Sequence, residues 1–540
     1  MILPFFYFQI SLGGEYKGIL PQIIDDELFY LARIKDVIDG HPTLGNAYLS
    51  EHKNQLPQQL FLPEFLLAQP LKFLNLSVVQ GRILYSFILP ATVFILTYIA
   101  FYLIRPSKFW ANIFAVFLFF GIFIFKFTRP IIPQFVFLFW LTQFTLLWLL
   151  IKDRPKKWIL PLNIINFGLL FYIYPFYWTF YLVFLVILVF ISFFRDRLLS
   201  KQFLKILIGG LIIGSVYFYF TFLAAELPEY QETLTRLQLV FSRSPSEIKT
   251  VALSLIVLLL IGVLHRLKTI RINKEILFFI AGIVSILIVT NQNIITGQKF
   301  EFGHYRMLAI FFMVFTLYYL FASTSKFHLN NIWRGVFLLI IGFFVFQGVN
   351  DYVNKTLRIS DQAIYSQKYK TVFDWFNENT TFDSVVYANE EISSFLPVYT
   401  ANNVYYSRNA NLFIMSDTEI QERFILNNFF EELDRDFVFE NERAIWGVRY
   451  ADKYGDAVQA NKWRRLLGLK LKDETRLPEE EINKVIAVAQ EIRKDNFGKR
   501  LKKYRVDYII WDTNKDQGWH LDKQNFDKIF EQSGFIVYKL

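Results

Sequence analysis

Ten long apolar runs constrain this chain more than any other feature. They lie at about 83–104, 109–125, 134–151, 159–173, 176–194, 203–223, 249–265, 276–292, 307–323 and 335–350. A helix needs about 20 mostly apolar residues to cross the hydrocarbon core of a bilayer. The runs therefore predict a polytopic α-helical membrane protein. Met1–Leu12 is apolar but too short to span, and reads as the outer half of one more helix, about 11 transmembrane helices in all. It does not read as a cleavable signal peptide. Composition agrees: 54% of the 540 residues are hydrophobic and 62 are Phe, more than a soluble domain usually carries.

The loops predict an orientation. Arg105–Lys108, Lys152–Lys157, Arg195–Lys205, Arg266–Glu275 and Ser325–Arg334 together hold 16 Lys and Arg against three acids. The alternate set is 126–132, the aromatic turn Tyr172–Trp178, 224–247 and 293–306. It holds six Lys and Arg against five acids. Positive charge concentrates in cytoplasmic loops, so the first set is expected inside. Residues 13–81, 293–306 and everything past 350 then fall on the outer, periplasmic or extracellular, face of a bacterial-type plasma membrane. The formal charge of +10 is accounted for by these loops and does not indicate a nucleic-acid partner. Cysteine is absent, which removes disulfides, cysteine-based zinc sites and a cysteine nucleophile.

From about 351 the composition becomes that of a soluble domain. Residues 384–388, 404–406, 507–511 and 535–539 read as short buried strands. Residues 366–379, 418–434, 479–495 and 525–533 read as helices. The alternation predicts a C-terminal soluble α/β domain at 351–540, after a transmembrane domain at 1–350 whose first outer loop is 13–81.

Chemistry-bearing residues gather in two places. Gln22–Pro42 packs Asp25, Asp26, Glu27, Arg33, Asp36, Asp39 and His41 into a chain that is otherwise largely hydrocarbon. Read as a helix from Asp25 to Asp39, closed by Gly40 and Pro42, it puts Asp26, Tyr30, Arg33 and Val37 on one face. A carboxylate there could take a hydroxyl proton while a guanidinium holds a phosphate; an interfacial amphipathic helix with a solvated face fits the same pattern. The second place is the loop Asn291–Arg306, with two glycines, several amides, Glu301, His304 and Arg306. These could supply a general acid or an anion clamp, or be interfacial groups snorkelling at a helix mouth. Residues 55–82 read as an amphipathic segment in the outer interface, preceded by His52 and Lys53. Walker, dinucleotide-binding, His-Glu-x-x-His and Gly-x-Ser-x-Gly motifs are absent.

Together the residues and layout resemble the GT-C superfamily of integral-membrane glycosyltransferases. That group includes protein O-mannosyltransferases, the aminoarabinose transferase of lipid A and the catalytic subunit of oligosaccharyltransferase. The similarity rests on an acidic motif after the first span, about ten further spans with short loops, and a soluble outer domain. Asp26-Glu27 looks like the Asp-Glu pair of the mannosyltransferase branch. Asp26, Tyr30 and Arg33 are similar to the first-loop motif of oligosaccharyltransferase. Two departures stand out. There is no Trp-Trp-Asp-Tyr-Gly, which argues against peptide N-glycosylation. The loop Lys126–Pro130 has no acidic pair, so no metal ligand is assigned.

The resemblance implies transfer of a sugar from a polyprenyl-phosphate-linked donor, with inversion, to a lipid, glycan or protein acceptor at the outer face. Asp26 would be the base, with Asp25 and Glu27 the next candidates. Arg33, His304 and Arg306 would bind the donor phosphate. Tyr30, His41, Lys53 and Glu301 would be further pocket residues. No cofactor is expected, and membrane lipids are the remaining partners. Two other classes remain open: a transporter or flippase of lipid-linked sugar, for which Asn163 and Asn166 are the hints of a polar path, and a non-catalytic membrane scaffold.

Overall fold

The computed structural model describes residues 1–57, 61–152, 156–237, 239–323 and 331–540. Most of the expected basic loop Ser325–Arg334, and Asp153 and Arg154 of another, lie outside them. The described chain is mostly helical and divides into two compact units.

The first unit comprises Met1–Ile2, Leu84–Tyr219 and Phe241–Arg358. Every one of the ten apolar runs falls on a helix. Seven helices among the described residues are long and apolar enough to cross a membrane: Val78–Ile104, Pro175–Arg195, Arg197–Ala225, Ile248–Arg266, Lys274–Thr296, His304–Ser323 and Arg334–Thr356. Lys108–Phe123, Val136–Ile151 and Ile159–Ile173 are shorter, and the first helix, α1 (Leu3–Leu12), has only 10 residues. Among the described residues the helices of spanning length thus number seven, and the other four expected spans are too short by themselves.

Aromatic rings fill this unit's core. Phe144 lies 4.5 Å from Phe315 and 5.6 Å from Phe312, centroid to centroid. Gly282 makes room for Phe312, whose ring would meet an added Cβ at 2.0 Å. The amides read as hints of a polar path are closed on one another. Gln143 Nε2 donates to Asn163 Oδ1 at 3.0 Å, and Asn166 Nδ2 donates to Gln143 Oε1 at 2.9 Å. Asn163 is fully buried. Such side-chain bonds join helices in an apolar medium.

The second unit comprises Leu3–Ile83, Phe220–Val240 and Ile359–Leu540. Its sheet has five strands: β1 (Val385–Tyr387), β2 (Asn403–Val404), β3 (Tyr508–Asp512), β4 (Asp527–Gln532) and β5 (Phe535–Lys539), in the order β2-β1-β3-β5-β4. The first three are parallel, and β5 and β4 continue the sheet antiparallel. Residues 525–533, expected to be helical, hold β4. The reason is the two-residue turn Ser533-Gly534, both at positive φ. That turn folds β4 onto β5 as a hairpin, and pairing overrides helical propensity.

The division differs from a cut at 350, because residues 3–83 belong with the sheet. Val404 N donates to Tyr48 O at 2.9 Å, beside β2. The Gln367 side chain accepts from Lys17 N at 3.0 Å and donates to Ile19 O at 2.8 Å. Leu20 N donates to Tyr399 Oη at 2.9 Å. Residues 220–240 join through Arg236, whose side chain is buried. It reaches Asp417 at 2.6 Å and the carbonyls of Asn411, Phe413 and Met415 at 3.2, 3.3 and 3.1 Å. A planar fork with five donors suits a site lined by carbonyls as Lys would not.

Two acids lie just past the parallel strands. Burial pushes Glu390 up to about 7, against the pull of the Arg408 N–H. Burial, assisted by the Asp512 charge, pushes Asp516 up to about 7 as well. An acid whose pKa is raised in the folded state binds its proton more tightly there. Its stabilising contribution is full below the ordinary carboxylate range and lost as pH rises through about 7. Stability is therefore expected to rise by roughly a few kcal/mol on acidification from pH 8 to 5, and the melting temperature with it. Thermal denaturation of Glu390→Gln beside wild type checks this: the variant's profile should be flatter.

Candidate functional site

The acidic stretch forms α2 (Glu27–Asp39), which starts two residues later than the sequence pattern predicted. Asp26 is its N-cap residue rather than part of its face. The cause is Glu27, whose Oε2 turns back to accept from Ile23 N at 2.9 Å. A carboxylate in the first turn also suits the helix dipole. The far end is as expected: Gly40 takes the left-handed conformation at φ 113°, and His41 N donates to Asp36 O at 2.9 Å.

The helix is not an interfacial one with a wet face. Leu28 through Ile34 are all buried, and so are Glu27, Asp36 and Val37. Its charges are consequently paired inside the protein. Glu27 Oε1 binds Arg82 Nε, both almost fully buried, and the Arg82 guanidinium lies over the Phe5 ring of α1 at 5.0 Å. Arg33 Nη2 binds Glu64 Oε1 at 2.6 Å, again with both partners buried. Glu64 comes from α3 (Leu62–Leu74). Burial raises the Glu64 carboxyl above its usual range, against the pull of Arg33. Glu64 Oε2 and Arg33 Nε have no hydrogen-bond partner among the described residues. Tyr30 is buried beside Phe29, with ring centroids 5.3 Å apart. Asp25 is exposed and Asp26 partly so.

A second polar group forms at the other end of α2. Lys53 binds buried Asp36, and Lys35 binds Asp39. His41 Nε2 meets Asp383 Oδ2 at 3.1 Å. Asp36, Asp39, Lys53 and Asp383, with Asn402 just before β2 and Asn403 in it, line a small recess. Burial raises both Asp36 and Asp39, while Lys53 and Lys35 respectively draw them down. A helix of 13 residues is about 20 Å long. His41 and Lys53 therefore lie a helix length from Asp26 and do not share its surroundings.

Glu301, His304 and Arg306 belong to the helical unit. His304 Nε2 meets Glu301 Oε2 at 3.1 Å, and its Nδ1 meets the Tyr174 hydroxyl at 2.6 Å. With Nε2–H donated to the carboxylate, a neutral imidazole accepts the phenol proton on Nδ1. The His304 hydrogen bond holds the Glu301 carboxyl below its usual range. The Lys126 and Arg129 charges act in the same direction. A carboxylate–imidazole–phenol chain can move a proton along its length. Arg306 is 61% exposed, and both its Nε and Nη2 donate to Glu247, at 3.0 to 3.2 Å.

Sequence reasoning missed Glu64, Arg82, Asp383, Asn402 and Tyr174. Two of these left a signal. Glu64 is the one acid in the apolar stretch 60–68, and Arg82 stands at the head of an apolar run. The remainder are positioned by contacts distant in sequence. Compared with known proteins, the chain matches no family model, and no curated protein matches it either.

Proposed function

We propose that the protein is a membrane glycosyltransferase that uses a polyprenyl-phosphate-linked sugar, arranged like the GT-C enzymes with up to 11 membrane passages. The acidic motif, residues 293–306 and the sheet-bearing unit lie on the outer face in this reading, as the loop charges suggest. The observation that carries it is the setting of Asp26. Its neighbours Glu27 and Arg33 are fixed in buried ion pairs with Arg82 and Glu64. Buried pairs are poor stabilisers relative to apolar replacements, so their presence is best explained as positioning. Glu27 has both oxygens engaged, by Arg82 and by Ile23 N. That favours Asp26 as the base, with Asp25 second.

In this reading Asp26 accepts the proton of an acceptor hydroxyl. The oxygen attacks the anomeric carbon, the bond to phosphate breaks, and polyprenyl phosphate leaves with inversion. Arg33, already neutralised by Glu64, is a positioning residue. By the resemblance alone, His304, whose imidazole is held by Glu301 and Tyr174, and Arg306 are the candidates for the donor phosphate. The flippase reading is weakened by the mutual closure of Asn163, Asn166 and Gln143.

Donor class is tested by product binding in lipid nanodiscs. Polyprenyl phosphate should raise the melting temperature, and inorganic phosphate at equal concentration should not. At about 100-fold excess over its dissociation constant a ligand adds about 2.7 kcal/mol. His304→Gln should reduce that shift. No shift with any polyprenyl phosphate would remove the donor assignment.

A further inference from the structure

The helical unit has a cavity of about 290 Å³ that the proposed reaction does not use. It lies among the helices Pro175–Arg195, Arg197–Ala225 and Lys274–Val289. Leu188, Phe203, Leu277 and Phe278 supply apolar walls, and Arg195, Asp196 and Lys274 stand among its lining residues. Size and lining match a ligand site, where apolar walls meet a few charged groups.

We infer that this cavity binds one anionic membrane lipid, with its phosphate at Arg195 and Lys274 and an acyl chain along the walls. Three observations converge. First, the charged lining residues stand at the ends of membrane-length helices: Arg195 ends one and Lys274 begins another. Phe190, Phe193, Phe194 and Leu198 beside them are all exposed, as lipid-facing side chains are. Second, the charge there is positive. Arg195, Arg197 and Lys274 stand at helix ends, and Arg271 lies in the segment just before Lys274. The two acids are engaged: Asp196 accepts from Leu199 N at 3.0 Å, and Glu275 accepts from Lys152 at 2.7 Å. Third, only an amphiphile uses both parts. A soluble anion gains nothing from the walls, and a neutral lipid gains nothing from the cations. Basic pockets between membrane helices recognise acidic headgroups in this way.

The test is native mass spectrometry of the full chain, delipidated in detergent and offered equal phosphatidylglycerol and phosphatidylcholine. Wild type should carry one phosphatidylglycerol, preferred roughly thirtyfold, the product of two cations each acting at the headgroup. Arg195→Gln/Lys274→Gln should bring the two lipids to parity. Ile191→Trp, which fills the cavity and leaves both cations, should lose the bound lipid, and it keeps the test open should the double variant misfold. Glycerol phosphate without acyl chains should not compete, and competition by it would identify a soluble anion instead. Equal uptake of both lipids by wild type, or an undiminished preference in either variant, would overturn the proposal.

Discussion

Asp26→Asn is expected to lower sugar transfer by roughly a hundred- to ten-thousand-fold, the usual worth of a general base. The substitution is suited to the position. Asn serves as well as Asp at a helix N-cap, so α2 should start where it does in the wild type. The Glu27–Arg82 and Arg33–Glu64 pairs are untouched. What disappears is the group able to take a proton. Asp25→Asn, at an exposed position, should cost far less. Glu27→Gln should behave differently again, losing thermal stability because Arg82 stays buried without its counter-charge. Initial rates beside melting temperatures separate the three variants: a base changes the rate alone, and an ion-pair partner changes both.

Glu64→Ala is expected to destabilise the sheet-bearing unit by about 3–5 kcal/mol, the cost of leaving one member of a buried pair alone. Arg33 is only 5% exposed, so solvent is a poor substitute for its lost partner. The double replacement Arg33→Met/Glu64→Leu should recover most of the loss, because the desolvation cost goes with both charges. Equilibrium denaturation of the three proteins checks the sign of the coupling. Should Glu64→Ala cost less than about 1 kcal/mol, the pair would behave like a surface salt bridge and could not hold the motif rigidly. If the account is right, the stable double variant should still lose activity, since positioning by the pair has gone.

Much of the helical unit was legible in the sequence, because an apolar run carries its own evidence. All ten runs became helices, and Gly40 closes α2 as its place before Pro42 predicts. The start of α2 was misread since Glu27 bonds backward to Ile23, a detail that helical periodicity does not encode. Residues 525–533 were misread because the hairpin depends on Ser533 and Gly534 rather than on the segment's own preference. The candidate site was legible only in part. Gln22–Pro42 announced itself as charge among hydrocarbon, but the partners of that charge lie far along the chain. Arg33 finds Glu64, His41 finds Asp383, and the loop around Tyr48 finds β2. The last two of these pairings help tie residues 3–83 to the C-terminal sheet.

The central claim is most directly tested with the purified chain in liposomes, supplied with polyprenyl-phosphate sugars radiolabelled in the sugar and with candidate lipid, glycan and protein acceptors. Label is expected to pass from donor to acceptor with release of polyprenyl phosphate, and that transfer to be lost in Asp26→Asn. Labelled donor crossing the bilayer intact, or transfer that survives unchanged in Asp26→Asn, would contradict the claim.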